Sequence, residues 1–494
     1  MRNIFRFSLI ALLMTAASCE DATDIIQVGE LSEENAYRTV DDLQSGLSGV
    51  YATYGPDFGT NGDGDLILFN DLFTDNIKRG ISSNGQGNEE YNFIINQNTD
   101  FANRIWQNRY TVINRANRVL RNIDRIIETS SESDVARANH IRGQLLALRA
   151  LCHLDLMQYF TVDYQAADSP SIIIMDFVPD LGDVFPRNTV GEVFAFIKAD
   201  LDAAESNINA GATDTFYLTR DAIMAIRARV LLFEGNPANY ATIESITESL
   251  LSRHEIITEP QDYQDFWNDV NLESMSEDIF TLFRGQDDNA VAGLFFANET
   301  ERNGSPFFEM SNQLYETYLT DDLENDYRPE VFLDETSTVT GNRVLIINKY
   351  PGANSRGNLI NHIKLLRASE MQLIKAEVEA RQNKLGEAAA SIMELRAARS
   401  FDGDAPAVSY GSLNAALQDV LLERRRELCF EGHRFLDLKR IGKELNIGIS
   451  RDSDDCASFN ASDCDLAPSS HLFTMPIPNV ETSANNSIEQ NPGY

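Results

Sequence analysis

Cations, cysteines and long apolar runs are all scarce in this sequence of 494 residues. Its 41 lysine and arginine residues are outnumbered by 76 acidic ones, which gives a formal net charge of −35. Because this charge repels the phosphate backbone of nucleic acids and anionic lipid surfaces, we expect no nucleic-acid partner. Beyond the N-terminus, no stretch approaches about 18 uncharged apolar residues, so the sequence offers no candidate for a membrane-spanning helix.

The five cysteines are too few and too scattered for a disulfide scaffold or a metal site. Cys456 and Cys464 lie in a polar segment, where they form either a small disulfide loop or two free thiols. Cys152 and Cys429 lie in apolar helical patterns and are predicted to be buried thiols. We find no serine nucleophile elbow, phosphate-binding glycine loop or histidine zinc motif. The sequence therefore predicts no metal site and no cofactor.

The one long apolar run is at the N-terminus, where Arg2 and Arg6 precede apolar residues up to Ala17. This pattern is typical of a secretion signal, and we assign it to residues 1–18. The small residues before Cys19 resemble the lipobox of bacterial lipoproteins, in which the cysteine is acylated and becomes the first residue. We therefore expect a lipid anchor at Cys19 and a flexible tether at 19–32.

The rest of the chain is predicted to be mostly α-helical, in one domain over residues 33–494. Apolar residues recur at steps of three and four from Ile141 to Tyr159, as one buried helical face requires. Successive helix pairs look like degenerate tetratricopeptide units that form a scaffold. We assign Trp106 to the core and favour the same for Trp267. Helices are predicted at 33–54, 102–128, 134–160, 189–208, 219–234, 237–253, 364–382, 385–400 and 412–441.

Two long tracts interrupt the helical pattern, at about 56–100 and 255–362. They are rich in Gly, Asn, Asp and aromatic residues, and we expect irregular loops with a few short β-strands there. Long loops on a rigid scaffold commonly carry recognition sites.

Charged residues occupy apolar faces of two predicted helices. Arg424 shares a face with Leu417 and Leu421, and Glu370 shares one with Leu373 and Glu377. A buried charge must be paired, so we expect ion pairs between Glu370 or Glu377 and Arg424 or Arg425. The two glutamates could also suggest a glycosidase, but residues seven apart lie about 10 Å apart along a helix, which is wide for that chemistry.

Three blocks of sequence resemble the SusD/RagB family of outer-membrane nutrient-binding lipoproteins of Bacteroidota. They are the segment Glu423 to Arg440, the helix Leu366 to Glu377, and the C-terminal stretch Pro476 to Tyr494. The resemblance implies a surface lipoprotein of the outer membrane. We interpret the charged members of these blocks as a structural network of Glu370, Glu377, Glu423, Arg424, Arg425, Glu427, Glu431, Arg434 and Asp437.

The resemblance also implies a function without catalysis. Such a protein would bind an oligosaccharide, or alternatively a peptide, and pass it to a partner TonB-dependent transporter of the SusC type. Two other classes are less favoured, a lipid-anchored glycan hydrolase and a helical-repeat adaptor that binds only proteins.

A glycan site needs exposed aromatic rings beside amide, carboxylate or guanidinium groups, because sugars present flat C–H faces and many hydroxyls. Both loop tracts offer this mixture. The candidate ligand-binding residues are Tyr54, Phe58, Asp75, Asn76, Tyr91, Asn92, Phe295, Phe296, Arg302, Asn303 and Phe307.

Overall fold

The structure is a computed structural model, which describes most of the chain and is mostly α-helical, as predicted. The described residues are 36–55, 65–272, 275–285, 291–295, 306–320, 323, 325–352, 359–459, 461 and 463–494. The predicted signal peptide, Cys19 and the tether lie outside them. In the part that is described, no helix is both long enough and apolar enough to cross a membrane.

The helices are numbered here in chain order. The N-terminal part contains α1 (Val40–Tyr54), α2 (Asp65–Leu72), α3 (Asn88–Tyr91), α4 (Asp100–Ile127), α5 (Glu132–Phe160), α6 (Val190–Asn207), α7 (Arg220–Glu234) and α8 (Tyr240–Leu251). The remainder contains α9 (Pro260–Trp267), α10 (Asn312–Glu316), α11 (Arg328–Phe332), α12 (Ala368–Arg381), α13 (Leu385–Ala398), α14 (Leu413–Leu428), α15 (Arg434–Asp437), α16 (Lys443–Leu445), α17 (Ser453–Ser458) and α18 (Asn479–Ala484).

Helix ends follow local sequence signals. Thr39 and Thr189 each cap a helix through a reciprocal pair of hydrogen bonds with the acidic residue three positions on. Gly235 ends α7 in the left-handed region, with φ of 65°. These signals explain why the predicted bounds of the helices between residues 100 and 253 lie within a few residues of the observed ones.

The long helices form a stack in which each helix packs on its neighbour in the chain. Helix α4 packs on α5, α5 on α6, α6 on α7 and α7 on α8. The next neighbour of α8 is α12, which lies more than a hundred residues further along the chain and packs in turn on α13 and α14. The stack therefore continues across the second loop tract.

Helix α5 is the central helix of the N-terminal half. Every residue from Gly143 to Phe160 is buried, including the face opposite the predicted apolar stripe. Because α4, α6 and α1 surround it, polar residues on this helix must find partners inside the protein. Arg149 does so by pairing with Asp200 through two hydrogen bonds of 2.8 and 2.7 Å.

Short antiparallel strands connect the two loop tracts and the C-terminal region. Strand β1 (Ile77–Arg79) pairs with β3 (Phe308–Met310), with Ile77 opposite Met310. Strand β2 (Asp278–Leu282) pairs with β4 (Ile363–Arg367), and β5 (Ile449–Ser450) pairs with β6 (Asp465–Leu466). The first pair brings the two tracts together, although more than two hundred residues separate the two strands in the sequence.

Three predicted helices were wrong at one end. Helix α1 begins only at Val40, seven residues after the predicted start at 33. Residues 364–367 belong to β4, and α12 begins only at Ala368. The predicted helix 412–441 ends at Leu428, because Phe430 and Gly432 both take positive φ, of 64° and 86°. A Cβ on Gly432 would lie 2.4 Å from the Leu66 carbonyl oxygen, so only glycine fits there.

The carbonyl groups exposed by this early helix end are bound by side chains from elsewhere. Lys349 Nζ donates to the carbonyls of Glu427 and Cys429 at 2.7 and 2.9 Å. The Tyr318 hydroxyl donates to the Arg426 carbonyl at 2.7 Å. Tertiary contacts thus replace the hydrogen bonds that further helical turns would have made.

The cysteines behave as the sequence allowed. Cys456 and Cys464 form a disulfide, which settles the alternative left open for them. Cys152 and Cys429 are buried free thiols, and Trp106 and Trp267 are both core residues.

Candidate functional site

Glu427 is the centre of a buried charged cluster built by the segment Glu423 to Arg440. Its carboxylate accepts hydrogen bonds from Arg367 at 2.7 Å, from Arg399 at 2.9 Å and from Arg328 at 3.1 Å. Burial acts to raise its pKa, but the three guanidinium groups hold the pKa well below the ordinary range. The carboxylate is therefore ionised and fully engaged.

The neighbouring turns of α14 and the segment after it extend this cluster. Glu423 accepts from Arg328 at 2.7 Å and from Arg396 at 2.8 Å. Glu431, whose side chain is 3% exposed, accepts from Lys349 at 2.6 Å and from Arg367 at 2.8 Å. Carboxylates spaced four residues apart thus face the cationic side chains of β4, α11 and α13.

The sequence correctly predicted buried, ion-paired side chains at four positions, but it predicted the wrong partners. The four residues are Glu370, Glu377, Arg424 and Arg425. Glu370 pairs with Arg229 of α7, and Glu377 with Arg440 and Arg381. Arg424 pairs with Asp437 at 2.8 Å, and both Arg425 and Arg434 bind Asp75, at 3.4 and 2.8 Å. Three of the partner residues, Arg434, Asp437 and Arg440, lie after the helix break at Leu428, which the sequence pattern did not reveal.

These ion pairs affect whether the two glutamates could act as general acids in a glycosidase. Burial acts to raise the pKa of Glu377, but Arg440 and Arg381 lower it to about 2. A general acid must hold a proton near neutral pH, and Glu377 does not. Glu370 is bound by Arg229 through two hydrogen bonds inside the scaffold.

Five of the predicted ligand-binding residues are buried and have partners inside the protein, so the expectation that they are exposed was wrong. Tyr54 packs under Arg109, and Asp75 lies between two arginines. Their apolar or charged surroundings are the core of the loop tracts, which had been assigned to the surface. The buried residues are Tyr54, Asp75, Asn76, Tyr91 and Phe295.

The other three buried candidates, Asn76, Tyr91 and Phe295, each have a structural role. Asn76 donates to Asp71 at 2.7 Å and accepts from Arg425 at 3.0 Å. Tyr91 stacks on Phe459 with ring centroids 3.8 Å apart. Phe295 packs against Phe430. Aromatic and amide residues of the loop tracts therefore extend the main core of the protein.

The remaining candidates stay predictions. Asn92 and Phe307 are half-buried. Four candidates, together with the anchor Cys19, lie outside the described residues: Phe58, Phe296, Arg302 and Asn303.

An aromatic patch that the sequence did not indicate lies where strand β2 ends. It consists of the exposed rings of Phe283 and Tyr217, the half-buried ring of Phe216 and the buried ring of His362. Phe283 is 55% exposed and Tyr217 is 41% exposed, which is unusual for large rings. The Phe283 ring lies 4.8 Å from the His362 ring and 5.5 Å from the Phe216 ring.

Backbone hydrogen bonds hold the aromatic patch in place. The Thr281 amide donates to the Thr215 carbonyl at 2.9 Å and so joins β2 to the loop before α7. The Arg284 amide donates to His362 Nδ1 at 2.9 Å, which fixes the imidazole under Phe283. The rings therefore form a preorganised apolar surface beside the polar side chain of Asp214, which is exposed.

The sequence pattern does not single out Phe283 as exposed. All five residues of β2 are buried, on both faces of the strand, so strand alternation predicts no exposed position directly after it. The partners of Phe283 could not be found in this way, because Phe216 and His362 come from distant segments.

Two family models match the chain. One is described as the SusD family and matches residues 333–494. The other is described as starch-binding, associating with the outer membrane, and matches residues 30–232. Together they cover both the N-terminal helix stack and the segment that builds the charged cluster.

Relatives of the whole chain are similar to it over nearly their full length. SusD-like protein P2 of Formosa agariphila is 25% identical over 99% of each chain. A SusD-like carbohydrate-binding protein from Bacteroides vulgatus has the same fold, with a TM-score of 0.75 at 22% identity over 92% of this chain and 98% of that one. A laminarin-binding SusD-like protein has a TM-score of 0.66 at 19% identity, over 93% of this chain and 100% of that one.

Proposed function

Because the chain belongs to the SusD family, we propose that it captures an oligosaccharide at the cell surface and passes it to a TonB-dependent transporter. The aromatic patch is the observation that carries this proposal. Exposed, fixed rings beside a carboxylate are what the C–H faces and hydroxyls of a sugar require. The names of the relatives support a glycan, since one is described as carbohydrate-binding and another as laminarin-binding.

The family also supports the proposed location, because one of the matching family models is described as associating with the outer membrane. A lipid on Cys19 would supply the attachment, and the tether 19–32 would let the protein move relative to a SusC-type transporter. Both the lipid and the transporter partner are parts of the proposal.

The protein acts without catalysis in this proposal. The carboxylates that suggested a hydrolase, Glu370 and Glu377, are held by arginines inside the scaffold. An adaptor that binds only proteins would have no use for a sugar-sized aromatic surface. A peptide ligand is the remaining alternative, since exposed rings also accept apolar side chains.

Calorimetry with purified protein tests the glycan proposal. A panel of neutral oligosaccharides, including laminari-oligosaccharides, and a panel of short peptides should be titrated into wild type, Phe283→Ala and Tyr217→Ala. Losing one stacking ring should cost about 1.5–2 kcal/mol, or roughly a tenfold to thirtyfold weaker affinity.

Phe401→Ala is the matched control, because Phe401 is 52% exposed but lies away from the aromatic patch, against Tyr327. It should leave affinity unchanged. If glycan binding survives both patch substitutions, the glycan site lies elsewhere on the protein. If only peptides bind, the ligand is a peptide and the glycan proposal is wrong.

A further inference from the structure

A cavity outside the two loop tracts offers a second candidate site. It is formed by α4, the loop at 173–185 and the C-terminal helix α18, and it has a cavity volume of about 230 Å³. We call it the α4 groove. Its size is somewhat below the roughly 300–1,000 Å³ of pockets for drug-sized ligands, so it suits one or two sugar rings. Its lining includes Tyr110, Asn114, Phe177, Asp180, Asp183 and Glu481.

The apolar walls of the α4 groove are rigid aromatic rings. The Tyr110 hydroxyl both donates to the Ile173 carbonyl, at 2.9 Å, and accepts from its amide, at 3.0 Å. Phe177 is 44% exposed and packs edge-on against Phe185, with centroids 5.5 Å apart. The Phe177 backbone is anchored separately, because Asn117 donates to its carbonyl at 2.9 Å. Both aromatic residues therefore line the cavity from positions that the surrounding protein holds in place.

The polar groups of the α4 groove have unused hydrogen-bonding capacity on its outer side. Glu481 is engaged, since it accepts from Trp106 at 3.2 Å and from Asn485 at 3.1 Å. Asp183 accepts from the Asp180 amide through Oδ2 only. Within the described part of the chain, the Asp180 carboxylate and Asp183 Oδ1 have no protein partner. The groove therefore presents acceptors at its mouth.

Charge restricts the kind of ligand further. Three carboxylates line the α4 groove, and its described lining contains no lysine, arginine or histidine. Two arginines near the groove keep their charge, but each directs its guanidinium group to neutral acceptors of the protein: Arg118 donates to Asn114, and Arg187 donates to backbone carbonyls, including that of Ser171. The three carboxylates of the lining still outnumber them. A sugar with a carboxylate or sulfate would be repelled, and one with an ammonium group would be attracted by the acids and by the ring faces.

We propose that the α4 groove is a second carbohydrate site that takes a sugar carrying a free amino group. A pyranose ring would stack between Tyr110 and Phe177, and its ammonium group would lie at Asp180 and Asp183. The site goes beyond the aromatic patch, with which it shares no residue, and its acids give it a selectivity that the patch lacks.

The test is calorimetry at about pH 6, where a sugar amine is protonated. The probes are diglucosamine, cellobiose and digalacturonate, which share a ring size and differ in charge. Diglucosamine should bind about tenfold more tightly than cellobiose, and digalacturonate should not bind. Phe177→Ala and the double variant Asp180→Asn/Asp183→Asn should each weaken diglucosamine about tenfold, and added salt should weaken it only while the acids are present.

The double amide variant changes charge without changing shape, so it remains informative if Phe177→Ala disturbs the loop. Phe401→Ala should have no effect, and Phe283→Ala should weaken ligands of the aromatic patch but not diglucosamine. Failure of diglucosamine to bind, equal binding of cellobiose or digalacturonate, or binding that survives both groove variants would overturn the inference. Because Phe283→Ala reports on the patch alone, these outcomes are separate from a failure of the proposed function.

Discussion

Arg399 and Glu427 face each other at the centre of the charged cluster, with Arg399 Nη2 2.9 Å from Glu427 Oε1 and neither side chain exposed. Arg399 also lies 3.9 Å above the Tyr263 ring. Removing two such charges from water is costly, and the pair is tolerated because each member has several further partners. The cluster therefore makes α13, α14 and β4 depend on one another.

Glu427→Gln should destabilise the protein strongly. The amide keeps the shape but leaves Arg328, Arg367 and Arg399 with one negative charge fewer, at a cost of about 3–5 kcal/mol. Chemical denaturation monitored by circular dichroism measures this loss. Glu248→Gln, on an exposed face of α8, is the control and should change little. Equal stability of the two variants would show that the cluster contributes nothing net.

Gly432→Ala should destabilise the protein by roughly 2 kcal/mol or more. The substitution combines an unfavourable positive φ, costing about 1–2 kcal/mol, with a Cβ that meets the Leu66 carbonyl. Gly341→Ala isolates the first effect, because Gly341 also has a positive φ, of 67°, but its Cβ would meet nothing within 4 Å. The melting temperature should fall further for Gly432→Ala. An equal fall in both variants would argue against the close contact.

Asp71 should make the protein less stable as pH rises from about 4 to 7. Burial raises its pKa to about 7 even though Asn76 and the Phe430 amide donate to it. The folded state then keeps a proton that the unfolded chain has lost, which costs on the order of 4 kcal/mol by pH 7. Asp71→Asn should remove this part of the pH dependence.

Melting temperatures at about pH 5 and pH 8 would measure the effect. The fall between them should be smaller in Asp71→Asn than in wild type, and Asp168→Asn, at an exposed position, should behave as wild type. Other carboxyl groups with a raised pKa, such as Asp278 with a pKa of about 6, make the stability of both proteins depend on pH to some extent. Parallel pH profiles for wild type and Asp71→Asn would contradict the prediction.

The disulfide should stabilise the C-terminal loop by about 2–3 kcal/mol, because it closes a short ring over a sequence separation of 8. The loop carries Asp455, which accepts from the amides of Asn312 and Gln313, at 3.0 and 3.3 Å. Cys456→Ser/Cys464→Ser should lower the melting temperature. A reducing agent should reproduce the loss in wild type and add nothing in the double variant, whereas a further loss would point to another redox-sensitive group.

Cys19→Ala should release a folded protein from the membrane fraction and abolish labelling by radioactive palmitate. Cys152→Ala, at a buried thiol, should keep the label. If the released protein still binds glycan but uptake by cells fails, the tether serves delivery to the transporter. Uptake that survives the release would make the anchor incidental.

Local sequence determined the helices, because caps and apolar periodicity act over a few residues. Thr39, Thr189 and the apolar positions of α5 are examples. Burial of Glu370, Glu377 and Arg424 could also be inferred, since each lies within an apolar face. The three sequence blocks within residues 366–494 were specific enough to indicate the family.

Tertiary structure decided the partners and the exposed surfaces. Arg229 meets Glu370, and Asp75 meets Arg434, across sequence separations that no periodic pattern encodes. The same holds for the ligand surface, because aromatic residues in loops have the same composition whether they pack inward, as Tyr91 does, or outward, as Phe283 does. A residue's type fixes which contacts it can make, and the packing of distant segments decides whether those contacts are made inside the protein or left for a ligand.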